Sequence, residues 1–241
     1  MIILLLIALL TGMISAYFGI GGGVIIVPSL IILFLYDPKL AVGTGAMCVP
    51  FIALSSSIVQ HKLGAIDHKV GMSIAAGSVP GAFIGAYLTG PAPSTLISVA
   101  LGITLIISGL RLLTGNVKAD VRIGRGSAFF LGLGAGILAG LVGIGGGIII
   151  VPGLLFAGVD PHRSVATSSF VIIFTGTASA LTHACLGHVD YLAFAVIVMG
   201  AIPGTVLGVK MAHNTRAEHL RALLGIFFML MAVRVLMGAL R

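Results

Sequence analysis

Ten residues of this chain occur twice. Gly19-Ile20-Gly21-Gly22-Gly23-Val24-Ile25-Ile26-Val27-Pro28 returns as Gly143-Ile144-Gly145-Gly146-Gly147-Ile148-Ile149-Ile150-Val151-Pro152, nine of ten positions identical and 124 residues on. Each copy interrupts an apolar run. Any fold must therefore hold two broken helices in two related halves.

The runs around them are long. The chain has 241 residues, 59% hydrophobic and 8% charged, with a mean hydropathy of +1.23. A soluble core cannot bury that much apolar surface, so the fold class is an all-α polytopic membrane protein. The runs are continuous and do not alternate, which argues against a membrane β-barrel. The net charge of +7 forms no basic stripe with interleaved aromatics, so nucleic acid is not an expected partner. Positive linkers are what membrane insertion requires. Cys48 and Cys185 have no metal or redox spacing and read as free packing thiols. Met1-Ile2-Ile3-Leu4 lacks a charged leader region and reads as a working segment of the mature protein.

Apolar runs fall at about 2–18, 23–36, 40–60, 68–90 and 94–113, then at about 126–143, 147–157, 162–183, 190–212 and 217–240. This predicts a first membrane repeat over 1–114, a cytoplasmic linker over 115–125 and a second membrane repeat over 126–241. At an offset of 123, Asp37-Pro38 matches Asp160-Pro161, Thr44 matches Thr167, Ser56 matches Ser179, and Gly64 with Asp67 matches Gly187 with Asp190. Gly77, Gly81 and Gly85 likewise match Gly200, Gly204 and Gly208. These stripes are expected to pack where symmetry-related helices cross each other.

Parity sets the orientation of the halves. Runs 2–18 and 23–36 make two spans or a re-entrant hairpin, giving an odd number of crossings per half either way. One broken span is excluded, because 35 residues at about 1.5 Å each far exceed a core of about 30 Å. The odd model places ten Lys and Arg on one face and three on the other; a parallel arrangement gives five against eight. The expectation is two inverted-topology repeats, each a glycine-broken or re-entrant helix pair plus three spanning helices. The central linker is then cytoplasmic and the termini outside.

The glycines have a chemical reading. A helix that starts at a glycine triplet exposes unpaired backbone N–H groups and a partial positive charge, which suits an anion. Close helix packing is the competing role. Gly21, Gly22, Gly23, Gly145, Gly146 and Gly147 are therefore candidate substrate-binding residues. No carboxylate or lysine falls in mid-span, which disfavours metal ions and proton pumping. Hydroxyls do, and Thr44, Thr167, Ser168 and Ser169 are candidate neutral donors, each with its own helix backbone as competing partner. His61 and His183 lie near the ends of matching segments, and His183 is a further substrate-binding candidate. No catalytic triad, zinc spacing or nucleotide motif is present, so neither an enzyme, a metal site nor a cofactor is expected.

The doubled motif, the Asp-Pro turns and the Leu-Gly-x-(Ile/Val)-Asp elements at 63–67 and 186–190 resemble the TauE/SafE sulfite exporter family, also called TSUP. The resemblance runs from about residue 11 to 212. It implies a prokaryotic inner-membrane permease, in the lipid bilayer, for sulfite, organosulfonates, thiosulfate or related anions. A small sulfur oxyanion or sulfonate is thus the expected partner, and a homodimer is compatible. A secondary transporter acting as an exporter is the leading expectation; an anion channel or a permease for another small metabolite is the alternative. The inside-negative potential favours export by about 2.3 kcal/mol per charge per 100 mV.

Overall fold

The structure is a computed structural model that describes residues 2–88, 124–142 and 145–239, with Ile103, Ile106, Gly109, Leu110, Leu113 and Thr114. Most of the run at 94–113 and of the linker at 115–125 lies outside the described residues, as do Gly143 and Ile144. Among the described residues there is no strand. The helices are α1 (Ile2–Phe18), α2 (Gly23–Phe34), α3 (Pro38–Lys62), α4 (His68–Tyr87), α5 (Arg125–Val142), α6 (Gly147–Phe156), α7 (Pro161–Cys185), α8 (Tyr191–Asn214) and α9 (Ala217–Ala239). Four of them, α3, α4, α7 and α8, are long and apolar enough to cross a bilayer among the described residues. The 12 residues of α2 and 10 of α6 rise only about 18 and 15 Å, too little to cross.

Aspartates start the long helices. Asp37 accepts the Lys39 N–H, Asp67 those of Lys69 and Val70, Asp160 those of His162 and Arg163, and Asp190 those of Leu192 and Ala193. Each satisfies donors that a helix start leaves unpaired and places negative charge at the positive end of the dipole. Four of the six carboxylates are thereby accounted for at helix ends. At the other ends of α3 and α7, Gly64 (φ 67°) and Gly187 (φ 71°) take the left-handed turn that closes a helix.

The glycine stripes pack, but not against each other. A Cβ on Gly77, Gly81 or Gly85 would strike the carbonyl oxygens of Phe129, Leu133 and Ile137 on α5. One on Gly200, Gly204 or Gly208 would strike those of Leu5, Leu9 and Met13 on α1. The sequence expectation is corrected here: each stripe receives the first helix of the other half. The reason is reciprocal fit, because α5 and α1 return their own glycines, Gly132 against Ile74 and Gly12 against Ala201. Residue numbers rise together along both pairs, so α4 runs parallel to α5, and α1 to α8.

α3 and α7 cross the opposite way. Near the start of α3, Gly43 meets His188 and Thr44 accepts the Asp190 N–H at 2.9 Å. Past its end, the Asp67 N–H reaches Thr167 at 3.0 Å. Between these, Val49 meets Gly176, and Ser56 donates to Ser169. The equivalent helices α3 and α7 are therefore antiparallel. α2 also runs back along α3: Gly22 lies against Ile52, Val27 against Gly45, and Tyr36 reaches Asp190 at the start of α8.

Candidate functional site

The glycine triplets form two helix starts. Gly22 (φ 82°) precedes α2 and Gly146 (φ 79°) precedes α6, with Gly21 (φ 86°) and Gly145 (φ 82°) before them. These backbone angles exclude ordinary side chains at small cost, so glycine is required. The Gly22 carbonyl accepts the N–H groups of Ile25 and Ile26, and Gly146 those of Ile149 and Ile150. The preceding N–H groups of Gly23, Val24, Gly147 and Ile148 have no acceptor among the described residues. All six triplet glycines are buried.

Both starts address one spot. A Cβ on Gly21 would lie 3.1 Å from Ile172 Cγ2 and 3.5 Å from Val49 Cγ1. One on Gly145 would lie 2.8 Å from Val49 Cγ1 and 3.3 Å from Ile172 Cγ2. Val49 and Ile172 are themselves 123 residues apart and stand near the midpoints of the 25-residue α3 and α7. Gly147 packs against the backbone of Gly19 and Ile20, so the two motifs touch directly. Electrostatically, two positive helix ends meet in an apolar centre at half the length of the spanning helices.

The hydroxyl candidates are placed differently. Thr44 and Thr167 accept the N–H groups of Asp190 and Asp67, five residues or about 7.5 Å of helix rise from Val49 and Ile172. Ser168 donates to the Gly19 carbonyl at 2.8 Å and holds the first motif in shape. Ser169 donates to Val165 and accepts from Ser56 and Gln60. Of the four, Ser168 alone bonds a motif residue. His61 and His183 are separated: His61 is exposed and shares a 3.1 Å contact with His68, while His183 is buried. The residue equivalent to His183 is Gln60, also buried. Cys48 is buried as expected, but Cys185 is exposed because it lies on the last turn of α7. Among the described residues no three His, Cys, Asp or Glu side chains form a metal cluster.

Sequence reasoning missed Ser15, whose Oγ lies 3.6 Å from the Cβ position of Gly22. One turn earlier, on the same face, Thr11 is fully buried and its Oγ1 has no hydrogen-bond partner among the described residues. The second half has Ala135 and Ala139 against Gly146 instead. A comparison of the two repeats position by position would have exposed this polar–apolar difference. Val49 and Ile172 gave no signal, because an apolar side chain in an apolar helix is unremarked.

The family profile described as "Sulfite exporter TauE/SafE" matches residues 4–235. The chain is 29% identical to the probable membrane transporter protein YunE of Bacillus subtilis, over 98% of this chain and 97% of that one. It is 32% identical to a probable membrane transporter protein of Methanocaldococcus jannaschii, over 92% and 90% of the two chains. A 39% stretch is 33% identical to sulfite exporter TauE/SafE family protein 2 of Arabidopsis thaliana, of which it covers 20%. No solved structure matches.

Proposed function

The chain belongs to the TauE/SafE family of membrane transporters, and from that premise we propose that it exports small sulfur-containing anions such as sulfite or organosulfonates. It is a multi-pass membrane transporter and not an enzyme. The observation that carries the substrate reading is the convergence of two glycine-opened helix starts on Val49 and Ile172. Their N–H groups, without an acceptor among the described residues, would supply donors and positive potential where a dehydrated oxyanion needs both. Ser15 adds a hydroxyl on the α2 side. Val49 and Ile172 close the spot, so entry of the anion requires α3 and α7 to part, as in rocking of one repeat against the other.

The topology belongs to the same proposal. Antiparallel α3 and α7 support inverted repeats, with the symmetry axis in the membrane plane. The return of α2 toward the end from which α1 comes supports a re-entrant pair in the first half, and by repeat α5 with α6 in the second. Residues 1–114 and 126–241 then form the repeats. The linker faces the cytoplasm and the termini face outward across a prokaryotic inner membrane.

Thermal-shift titration of purified protein with sodium sulfite and sulfoacetate tests the site. Ile172→Phe fills the shared spot without altering a glycine, and Gly146→Leu blocks one helix start. Each variant that stays monodisperse is expected to bind at least tenfold more weakly. Wild-type affinity in both would sink the proposed site.

A further inference from the structure

The face of α7 that meets the glycine centre continues beyond it. Ile172, Gly176, Ser179 and His183 follow a 4-3-4 spacing and share one side of the helix. Ile172 touches Gly21 and Gly145, and Gly176 packs on Val49 and Pro50. Ser179 and His183 stand about 10 and 16 Å further along the axis. Ser179 is 2% exposed and His183 3% exposed. Ser179 Oγ and both ring nitrogens of His183 have no hydrogen-bond partner among the described residues. The backbone of Gly140 on α5 faces the ring. His188 stands with its ring 6.3 Å away.

The equivalent face of α3 carries Val49, Ala53, Ser56 and Gln60, and there Ser56 and Gln60 are matched, although the buried Ser57 Oγ beside them has no partner among the described residues. Gln60 Nε2 donates to Ser56 at 3.4 Å and to Ser169 at 3.5 Å, and Ser56 donates to Ser169 at 3.3 Å. Position 46, the counterpart of Ser169, is alanine, so the α7 side lacks the third hydroxyl. On α3 the residues equivalent to Ser179 and His183 bond each other and Ser169, whereas Ser179 and His183 leave three polar atoms unmatched among the described residues. Such atoms require a polar partner.

We propose that Ser179 and His183 form a second station for the transported oxyanion, between the glycine centre and the C-terminal end of α7. A serine hydroxyl and an imidazole N–H, four residues apart on one face, suit a small anion with several acceptor oxygens. The station rests on the reading of the chain as a carrier of such anions.

The test uses the full chain with 15N-labelled histidine in lipid nanodiscs, titrated with sulfite, thiosulfate and methanesulfonate against chloride of equal ionic strength. His183→Gln identifies the His183 signals by difference. They are expected to move saturably with at least one sulfur anion. Replacement of His183→Gln together with Ala46→Ser rebuilds the hydrogen-bonded triangle of the other half. This double variant is expected to raise Tm and to slow sulfur-anion counterflow in proteoliposomes at least tenfold. If thermal shift reports binding while the His183 signals stay still, the station is overturned and the central site stands. If neither responds to any probe, both fail. Wild-type counterflow in a folded double variant also overturns the station.

Discussion

At the scale of single residues, the two halves are tied by groups that the repeat does not share. Tyr36 Oη donates to Asp190 Oδ2 at 2.7 Å, and the equivalent of Tyr36 is Val159. Both groups lie outside the spanning helices. The hydrogen bond to Asp190, with burial and the carboxylate charge behind it, pushes the Tyr36 phenol up to about 12. Asp190 is held below the usual carboxylate range by the Ala193 N–H first, then by Tyr36, against the effect of burial. A raised phenol stabilises the fold below its ordinary value near 10 and loses that contribution as pH rises toward 12. A depressed carboxylate stabilises above its ordinary value and loses its contribution as pH falls through the lowered one. Tyr36→Phe is expected to cost about 1 kcal/mol near neutral pH, less than a buried bond to a charged group because solvent screens this partly exposed pair. Unfolding curves from pH 9 to 12 check this: the alkaline loss between 10 and 12 assigned to Tyr36 should vanish in the variant. A curve unchanged from wild type would show that the bond contributes nothing.

Among elements, the helix pairs α1–α8 and α4–α5 depend on backbone approach through glycine. Gly204→Ala drives a Cβ into the Leu9 carbonyl, and because backbone cannot yield as a side-chain tip can, about 1–3 kcal/mol of stability should go. Gly134 is the control: it lies within α5, and nothing stands within 4 Å of its Cβ position. Gly134→Ala should leave Tm unchanged or raise it, by up to about 1 kcal/mol from reduced chain entropy. Equal losses in the two variants, measured by thermal unfolding in one detergent, would refute the close-approach account. Much of this was legible beforehand. The apolar runs predicted the described helices to within a few residues, because Asp-Pro and Leu-Gly-x-x-Asp punctuation marks their ends. The partner of each stripe was not legible. A stripe of small residues shows that a backbone approaches, but it carries no information on which backbone.

For the whole molecule, the consequence is directional. If the repeats are inverted, Leu63 after α3 and Leu186 after α7, both exposed, face opposite sides of the membrane. With Cys48→Ala and Cys185→Ala as background, Leu63→Cys and Leu186→Cys should react with an impermeant maleimide from opposite sides of oriented vesicles. Labelling from one side alone would sink the inverted arrangement. The sequence by itself determined the membrane class, the broken helices, their duplication and the glycine-rich starts. Those properties are local: apolar length, left-handed turns and helix caps are written in consecutive residues. Only the tertiary structure decided that Gly21 and Gly145 meet at Val49 and Ile172, that Thr44 and Thr167 hold helix starts, and that Gln60 is matched while His183 is not. Most of these are meetings between residues far apart in the chain, 151 positions for Gly21 and Ile172 and 146 for Thr44 and Asp190. In a chain this uniformly apolar many pairings bury the same area, and the choice falls to backbone fit and to which polar groups find partners.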